Sequence, residues 1–374
     1  MRTFAALLLV GSALAAHAGA APPPALGARA WLLADMTSRQ VLAAAAADER
    51  IEPASLTKLM TAYVVFAALR DGALALTQTV RVSEPMKDAP GSRMFIQPGL
   101  AVTVDELLRG LIVQSGNDAG LALVEAVAGA EAAFVERMNR TAARLGMTRT
   151  RFENASGLPD AQHYSTARDL YLLTAALIGD FPAQYERYFA QKEFRYNDIT
   201  QPNRNRLLWV DPSVDGVKTG YTEGAGYCLI ASSKRGERRL VSVLLGASSE
   251  GARARESQKL LNWGFQHFDD VKLFADGEAA KAIEVWKGAS TRVNAGFRGG
   301  LVVSVPKGEA ARLAAELVSD SALLAPVAQG QRVGTLRLTL AGEPFAEYPL
   351  VALEAVAVAG IFGRAWDTLR LWLR

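Results

Sequence analysis

Apolar positions recur in two rhythms over residues 28–267, and only the shorter rhythm continues beyond 271. Short apolar runs at 28–35 and 40–45, on either side of Met36-Thr37-Ser38-Arg39, predict a β-hairpin. Leu56, Leu59, Met60, Tyr63 and Val64 then share one face of a helix that runs to Leu69 and stops at Gly72. A short strand is expected at 79–83, followed by a loop-rich stretch at 84–99. Thr103-Val104-Asp105-Glu106 forms a capping box for a helix through Val113. Residues 118–128 and 130–145 read as the next two helices, and Ser165 or Thr166 caps another through Ile178. Strand signals follow at 226–232 and 239–245 around Lys234-Arg235-Gly236-Glu237, and a helix at 253–267 carries Leu260, Leu261, Trp263 and Phe265. Strands at both ends with helices between them predict one α/β (α+β) domain with an antiparallel sheet, over about 22–268. Runs at 282–286, 301–305 and 334–340, separated by Gly and Pro, predict a small all-β domain over 271–355. That second domain carries no catalytic constellation, which points to a spacer or docking role.

The two ends read differently. Arg2, the apolar run 4–16 and the small residues to Ala21 form an export-signal pattern, with cleavage expected near residues 19–22. The apolar core is shorter than the ~20 residues that span a bilayer, which favours a cleaved leader over a transmembrane anchor. At the other end, residues 356–374 read as a terminal amphipathic helix. A helical wheel gathers Val358, Ile361, Phe362, Ala365, Trp366, Leu369, Trp372 and Leu373 in one arc, with Arg364, Asp367, Arg370 and Arg374 opposite, where Leu371 is the only large apolar intruder. That separation suits a helix lying on a membrane surface. A spanning helix would bury Arg364, Asp367 and Arg370, each at a cost of at least ~2.5 kcal/mol.

Composition narrows the chemistry. The 374 residues are half apolar, enough for two sizeable cores, and a net charge of +3 gives no nucleic-acid footprint. Cys228 is the single cysteine, in the buried-strand pattern Tyr227-Cys228-Leu229-Ile230, so an intramolecular disulfide is excluded. Only His17, His163 and His267 are present, which weakens a Ser-His-Asp triad and leaves no His cluster for zinc. No metal or cofactor is expected, and base chemistry falls to lysine.

Ser55-Leu56-Thr57-Lys58 opens the first helical run, and residues three apart on a helix lie one turn above each other. A lysine activates serine only if burial or nearby cations lower its pKa. Ser-x-x-Lys alone is common. Here Ser115-Gly116-Asn117 and Lys218-Thr219-Gly220 follow in the order known for active-serine penicillin-binding enzymes. Ser115 and Asn117 fall between two apolar helices, and Lys218 on a strand.

With these motifs the chain resembles the membrane-anchored low-molecular-mass penicillin-binding proteins, the serine-type D-alanyl-D-alanine carboxypeptidases. Further stretches carry the likeness: Phe152-Glu153-Asn154-Ala155-Ser156-Gly157-Leu158, Tyr164-Ser165-Thr166-Ala167-Arg168-Asp169-Leu170, Asn203-Arg204-Asn205 and Asp215-Gly216-Val217 before Lys218. The resemblance implies a penicillin-binding-protein/β-lactamase-like catalytic domain. It implies peptidoglycan stem peptides ending in D-Ala-D-Ala as substrates, β-lactam antibiotics as covalent ligands, and the inner-membrane surface as the site of anchoring. In such a site Ser55 attacks, Lys58 is the base, and the backbone N–H groups of Ser55 and Tyr221 form the oxyanion hole. Ser115 and Lys218 relay the proton, and Asn117 orients the substrate amide. Lys218, kept charged, binds the substrate carboxylate with Thr219, Gly220 and Arg253, and Arg204 is a more distant candidate. Some relatives carry histidine where this chain has Ser156, so a role for that histidine does not transfer.

Two rival readings remain at this level. A serine β-lactamase would activate water with a glutamate in a Glu-x-x-x-Asn loop; Glu153 falls in that region, but Gly157 occupies the asparagine position. A non-catalytic wall-binding scaffold would not require Ser55, Lys58, Ser115, Asn117 and Lys218 together.

Overall fold

The computed structural model describes residues 21–319 and 323–360. The export signal at 1–21 falls almost wholly outside them, and so does the terminal helix from 361 onward. The chain forms two compact units. One comprises Pro22–Met36 and Val41–Phe265, the other Thr37–Gln40 and the residues from Gln266.

The first unit is built on a five-stranded antiparallel sheet in the order Gln40–Ala45, Ala30–Asp35, Arg238–Ala247, Gly226–Arg235, Val214–Thr222. Alternation along the strands divides the apolar residues between its faces. Leu32, Ile230 and Val243 join the main core with Tyr63 and Phe66 of the helix Lys58–Arg70, Leu107, Leu123, Phe134 and Leu173. On the opposite face Leu33, Leu240 and Leu244 meet the helix Glu250–His267, where Gly264 permits close approach. A β-carbon at Gly264 would sit 2.7 Å from Leu33 Cδ2.

The capping box is formed: Thr103 Oγ1 accepts from the Glu106 N–H at 3.3 Å, and Glu106 Oε2 accepts from the Thr103 N–H at 2.9 Å. Thr166, rather than Ser165, caps the helix Ala167–Asp180 through the Asp169 N–H. Three local departures from the sequence reading matter. Ser55 lies on a 3-10 turn, Ala54–Thr57, preceding the α-helix rather than within it. The helix that begins at Val104 becomes π-helical over Gly110–Gln114 and ends on Ser115 with φ +67°. Between residues 181 and 211, which carry no long periodic run, lie the short helices Pro182–Tyr188 and Leu207–Val210 and the hairpin of Glu193–Tyr196 with Ile199–Pro202.

From Phe268 the second unit is all β among its described residues, apart from one 3-10 turn at Ala310–Arg312. A six-stranded sheet runs Leu313–Ser319, Arg332–Leu340, Glu343–Ala352, Arg292–Gly296, Ala279–Trp286, Leu323–Leu324. A two-stranded ladder pairs Phe268–Phe274 with Leu301–Pro306. Val293, Ala295, Val303, Val305, Val333, Leu336, Leu350 and Ala352 form the fully buried part of its core. Residues 356–360 correct the helix expected from 356. Val356 bridges Val327, Val358 bridges Gly288, and the Ala359 N–H donates to the Lys287 carbonyl. Their backbone satisfies its hydrogen bonds within the β unit, so any terminal helix starts beyond them.

Phe66 is fully buried and meets Phe181 at 5.6 Å and Tyr188 at 6.0 Å between ring centroids. Phe66→Ala should destabilise the first unit by about 3–5 kcal/mol, because the rigid helical and aromatic surroundings cannot collapse onto the gap. Urea unfolding followed by tryptophan fluorescence measures it. A loss below 1 kcal/mol would show that this core is not rigidly packed.

Candidate active site

Ser55 is positioned from both sides. Pro53 leads into the 3-10 turn, whose first residue, Ala54, is in the left-handed region at φ +48°, a conformation that costs a non-glycine residue about 1–2 kcal/mol. Two glycines press on this segment. Gly220, on the edge strand Val214–Thr222, lies so close that a β-carbon there would be 3.2 Å from Ala54 Cβ and from the Pro53 carbonyl oxygen. Gly157 has φ +83°, and its β-carbon would fall 1.8 Å from the Ala54 carbonyl oxygen. Only glycine fits there. The nucleophile turn is thus wedged between the edge strand and the 153–158 segment.

Lys58 follows one turn later and is buried, with 1% of its surface exposed. Its Nζ donates to Ser55 Oγ at 3.1 Å and to the Ser156 carbonyl at 2.6 Å. Burial is the main cause that lowers its pKa from the ordinary lysine value to about 7; the Arg204 charge adds to the shift and Asp118 opposes it. The segment supplying the Ser156 carbonyl is fixed by Asn154, whose Oδ1 accepts from the N–H groups of Ser156, Gly157 and Leu158 at 2.7–3.1 Å. Thr61 Oγ1 donates to the Ala155 carbonyl at 2.7 Å, tying the same segment to the helix that carries Lys58.

Ser115 and Asn117 stand at the break between the π-helical stretch and the helix Asn117–Ala128. Ser115 Oγ and Asn117 Oδ1 are buried with no hydrogen-bond partner among the described residues. Asn117 Nδ2 donates to the Pro90 carbonyl and its N–H to the Ser92 carbonyl at 2.7 Å. Asp118 completes the fastening by accepting from the N–H groups of Met94, Phe95 and Ile96 at 2.8–3.2 Å. This acidic residue escaped the sequence reading, although it directly follows the Ser-Gly-Asn motif.

Lys218 and Thr219 are buried on the edge strand, whereas Tyr221 is half exposed and packs 4.4 Å from the Tyr227 ring centroid. Arg253, on the helix Glu250–His267, is buried too; Nη1 donates to the Gly220 carbonyl at 3.2 Å and the guanidinium lies over Tyr227. Arg204 is exposed. Its flanking asparagines hold the turn: Asn203 Oδ1 accepts from the Asn205 N–H and Asn205 Nδ2 donates to the Gly216 carbonyl, both at 2.9 Å. The surroundings of Lys218 work against the charge expected of it. Burial first, and then Lys58, Arg204 and Arg253, press its pKa well below the ordinary lysine value.

Ser55, Ser115, Asn117, Thr219, Gly220, Tyr221, Arg204 and Arg253 line one cleft of about 560 Å³, which Ser156, Gly157 and Leu158 border as well. Lys58 is hydrogen-bonded to Ser55, and Lys218 is buried with its Nζ donating to the carbonyl of the cleft-lining Thr219 at 3.1 Å. Glu153 does not line the cleft and is ion-paired to Arg151. A serine hydrogen-bonded to a buried lysine of lowered pKa, in a cleft rich in hydroxyl donors and cations, defines an active-serine hydrolase suited to acyl transfer.

The chain belongs to the peptidase S11 family of D-alanyl-D-alanine carboxypeptidases, matching it over residues 17–249. Residues 268–358 match the C-terminal domain of penicillin-binding protein 5. Among curated relatives, the D-alanyl-D-alanine carboxypeptidase DacC of Escherichia coli (strain K12) is 44% identical over 355 residues, covering 92% of this chain and 88% of the relative. Penicillin-binding protein 5 from Haemophilus influenzae superposes with a TM-score of 0.86 at 38% identity, covering 90% of this chain and 99% of that one. Penicillin-binding protein D2 from Listeria monocytogenes, solved in the ampicillin-bound form, gives 0.60 at 30% identity over 66% of this chain and all of its own. These likenesses support the carboxypeptidase reading, not the β-lactamase one, and agree with the antiparallel α/β catalytic fold followed by an all-β domain.

Gly157→Ala should push the Ala54 carbonyl and with it Ser55, so acylation by a penicillin should fall at least about tenfold while the fold persists. Stopped-flow labelling alongside circular dichroism tests this; wild-type acylation in a folded variant would refute the wedge.

Proposed function

We propose that the protein removes the terminal D-alanine from peptidoglycan stem peptides ending in D-Ala-D-Ala, through an acyl-enzyme on Ser55. The observation that carries the reading is the 3.1 Å contact from Lys58 Nζ to Ser55 Oγ in a setting that lowers the lysine pKa to about 7. At neutral pH a large fraction of the amine is free base, able to accept the serine proton as Oγ attacks the carbonyl between the two D-alanines. The N–H groups of Ser55 and Tyr221 receive the oxyanion. Asn117 and Ser115 present buried oxygens without partners among the described residues, the first for the substrate amide N–H and the second for proton transfer to the departing amine. Lys218, Thr219 and Arg253 take the terminal carboxylate, with Arg204 at the exposed rim. That carboxylate brings opposite charge to Lys218, so binding favours its ammonium form. Water then hydrolyses the ester. β-Lactams enter by the same attack, the opened ring remaining on Ser55.

The leader at 1–21 and the amphipathic pattern beyond residue 360 extend the proposal to an exported protein held on the outer face of the inner membrane. No described helix is long and apolar enough to cross a membrane. Because residues 356–360 hydrogen-bond within the β unit, the informative truncation removes 361–374 only. It should release the protein into the soluble fraction with activity on small peptides unchanged. A truncated protein that still sediments with membranes would reject the anchor.

For the chemistry, D-alanine release from a diacyl-D-Ala-D-Ala peptide should rise with pH and level off above about 7, because the base form of Lys58 appears at its lowered pKa rather than at 10.5. Lys58→Arg should lose roughly 10²–10⁴-fold in acylation, since arginine stays protonated. Lys218→Arg preserves charge toward the carboxylate and should retain more. Near-wild-type release by Lys58→Arg would reject the assignment of the base.

A further inference from the structure

His163 takes no part in the steps above, yet it is buried and both ring nitrogens are engaged. Nε2 lies 2.9 Å from Thr57 Oγ1, and the Glu153 N–H donates to Nδ1 at 3.4 Å. A backbone N–H can only donate, so Nδ1 accepts, Nε2 carries the proton, and the neutral ring donates to Thr57. The ring also packs edge-on against Phe152, with centroids 5.7 Å apart. Three successive attachments therefore join the nucleophile turn and the helix that follows it to one segment. Thr57 reaches it through His163, Lys58 through the Ser156 carbonyl at 2.6 Å, and Thr61 through the Ala155 carbonyl at 2.7 Å.

We propose that His163 is a positioning residue for acylation. By bridging Thr57 to the Glu153 backbone, it holds the 153–158 segment where the Ser156 carbonyl fixes the Lys58 amine and keeps water from it. The proposal rests on the reading of Lys58 as the base of Ser55. Asp160, Glu153 and Glu52 face the imidazole and favour its protonation; burial outweighs them, lowering its pKa to about 4. The charged groups acting on Lys58 are Arg204 and Asp118, and those acting on Lys218 are Lys58, Arg204 and Arg253. None of these lies on the 153–163 stretch. His163 thus reaches Lys58 through geometry and burial rather than through charge.

The test uses the whole chain as wild type, His163→Leu, His163→Gln and Thr57→Val. Acylation by a fluorescent penicillin is followed from pH 5.5 to 9, with melting temperature recorded for each. His163→Leu should lower acylation about tenfold at neutral pH and move the pH midpoint upward, because a loosened wall lets water reach the Lys58 amine. Thr57→Val cuts the other end of the bridge in a near-isosteric side chain, so it should move the midpoint the same way. His163→Gln, with one acceptor and one donor, should restore the wild-type midpoint and most of the rate. A wild-type midpoint in Thr57→Val and His163→Leu overturns the proposal, whatever their melting temperatures. So does a His163→Gln variant as impaired as His163→Leu. Labelling of the wild type at a serine other than Ser55 would be a different failure, that of the nucleophile assignment itself.

Discussion

The burial of one lysine amine against one serine hydroxyl governs the rest of the catalytic unit. An ammonium taken out of water is costly, and the structure answers that cost by lowering the pKa of Lys58 rather than by supplying a carboxylate against it. Its immediate hydrogen-bond partners are oxygens, Ser55 Oγ and the Ser156 carbonyl. Asp118, the acidic residue that acts on it electrostatically, spends its oxygens on four backbone N–H groups, those of Met94, Phe95, Ile96 and Ala119. A carboxylate in direct contact would have held the amine protonated and removed the base.

Several features of the fold serve that contact. The 3-10 turn lifts Ser55 out of the helical register, and Gly157 and Gly220 let two other segments close on it. Asn154 shapes the segment that delivers the Ser156 carbonyl, while Asn203 and Asn205 hold the Arg204 turn at the cleft. Cations converge from the helix at Lys58, the strand at Lys218, the 203–205 turn and the helix at Arg253. Burial first, and then the repulsion of these neighbours, lowers the Lys218 pKa, and the convergence of positive charge makes the cleft receptive to an anionic chain end.

How much of this could be read beforehand follows from what each residue depends on. The helix at Lys58, the capping box at Thr103 and the strands after Gly226 are written in local periodicity, and the structure has them within a few residues. The Ser-x-x-Lys, Ser-Gly-Asn and Lys-Thr-Gly motifs were legible because each is contiguous. The support was not. Gly157 and Ser156 meet Ala54 and Lys58 across about a hundred positions, a relation no short window contains. The same applies to the lowered pKa of Lys218, which depends on its burial and then on three cationic residues from other segments. The π-helical stretch at Gly110–Gln114 keeps a helical apolar pattern, so periodicity alone could not show where it tightens into the Ser115 turn. At the C-terminus, the amphipathic arc drew Val358 into a helix, whereas pairing with Gly288 claims it for the β unit.

The account stands on the protonation state of Lys58, and that state can be measured directly. Lysine side chains labelled with 13C at Cε report their own titration by NMR, and Lys58→Arg assigns the resonance. Lys58 should titrate near pH 7, more than three units below a free lysine. A titration close to 10.5 in the folded protein would contradict the account, because a lysine charged throughout the neutral range cannot take the proton of Ser55.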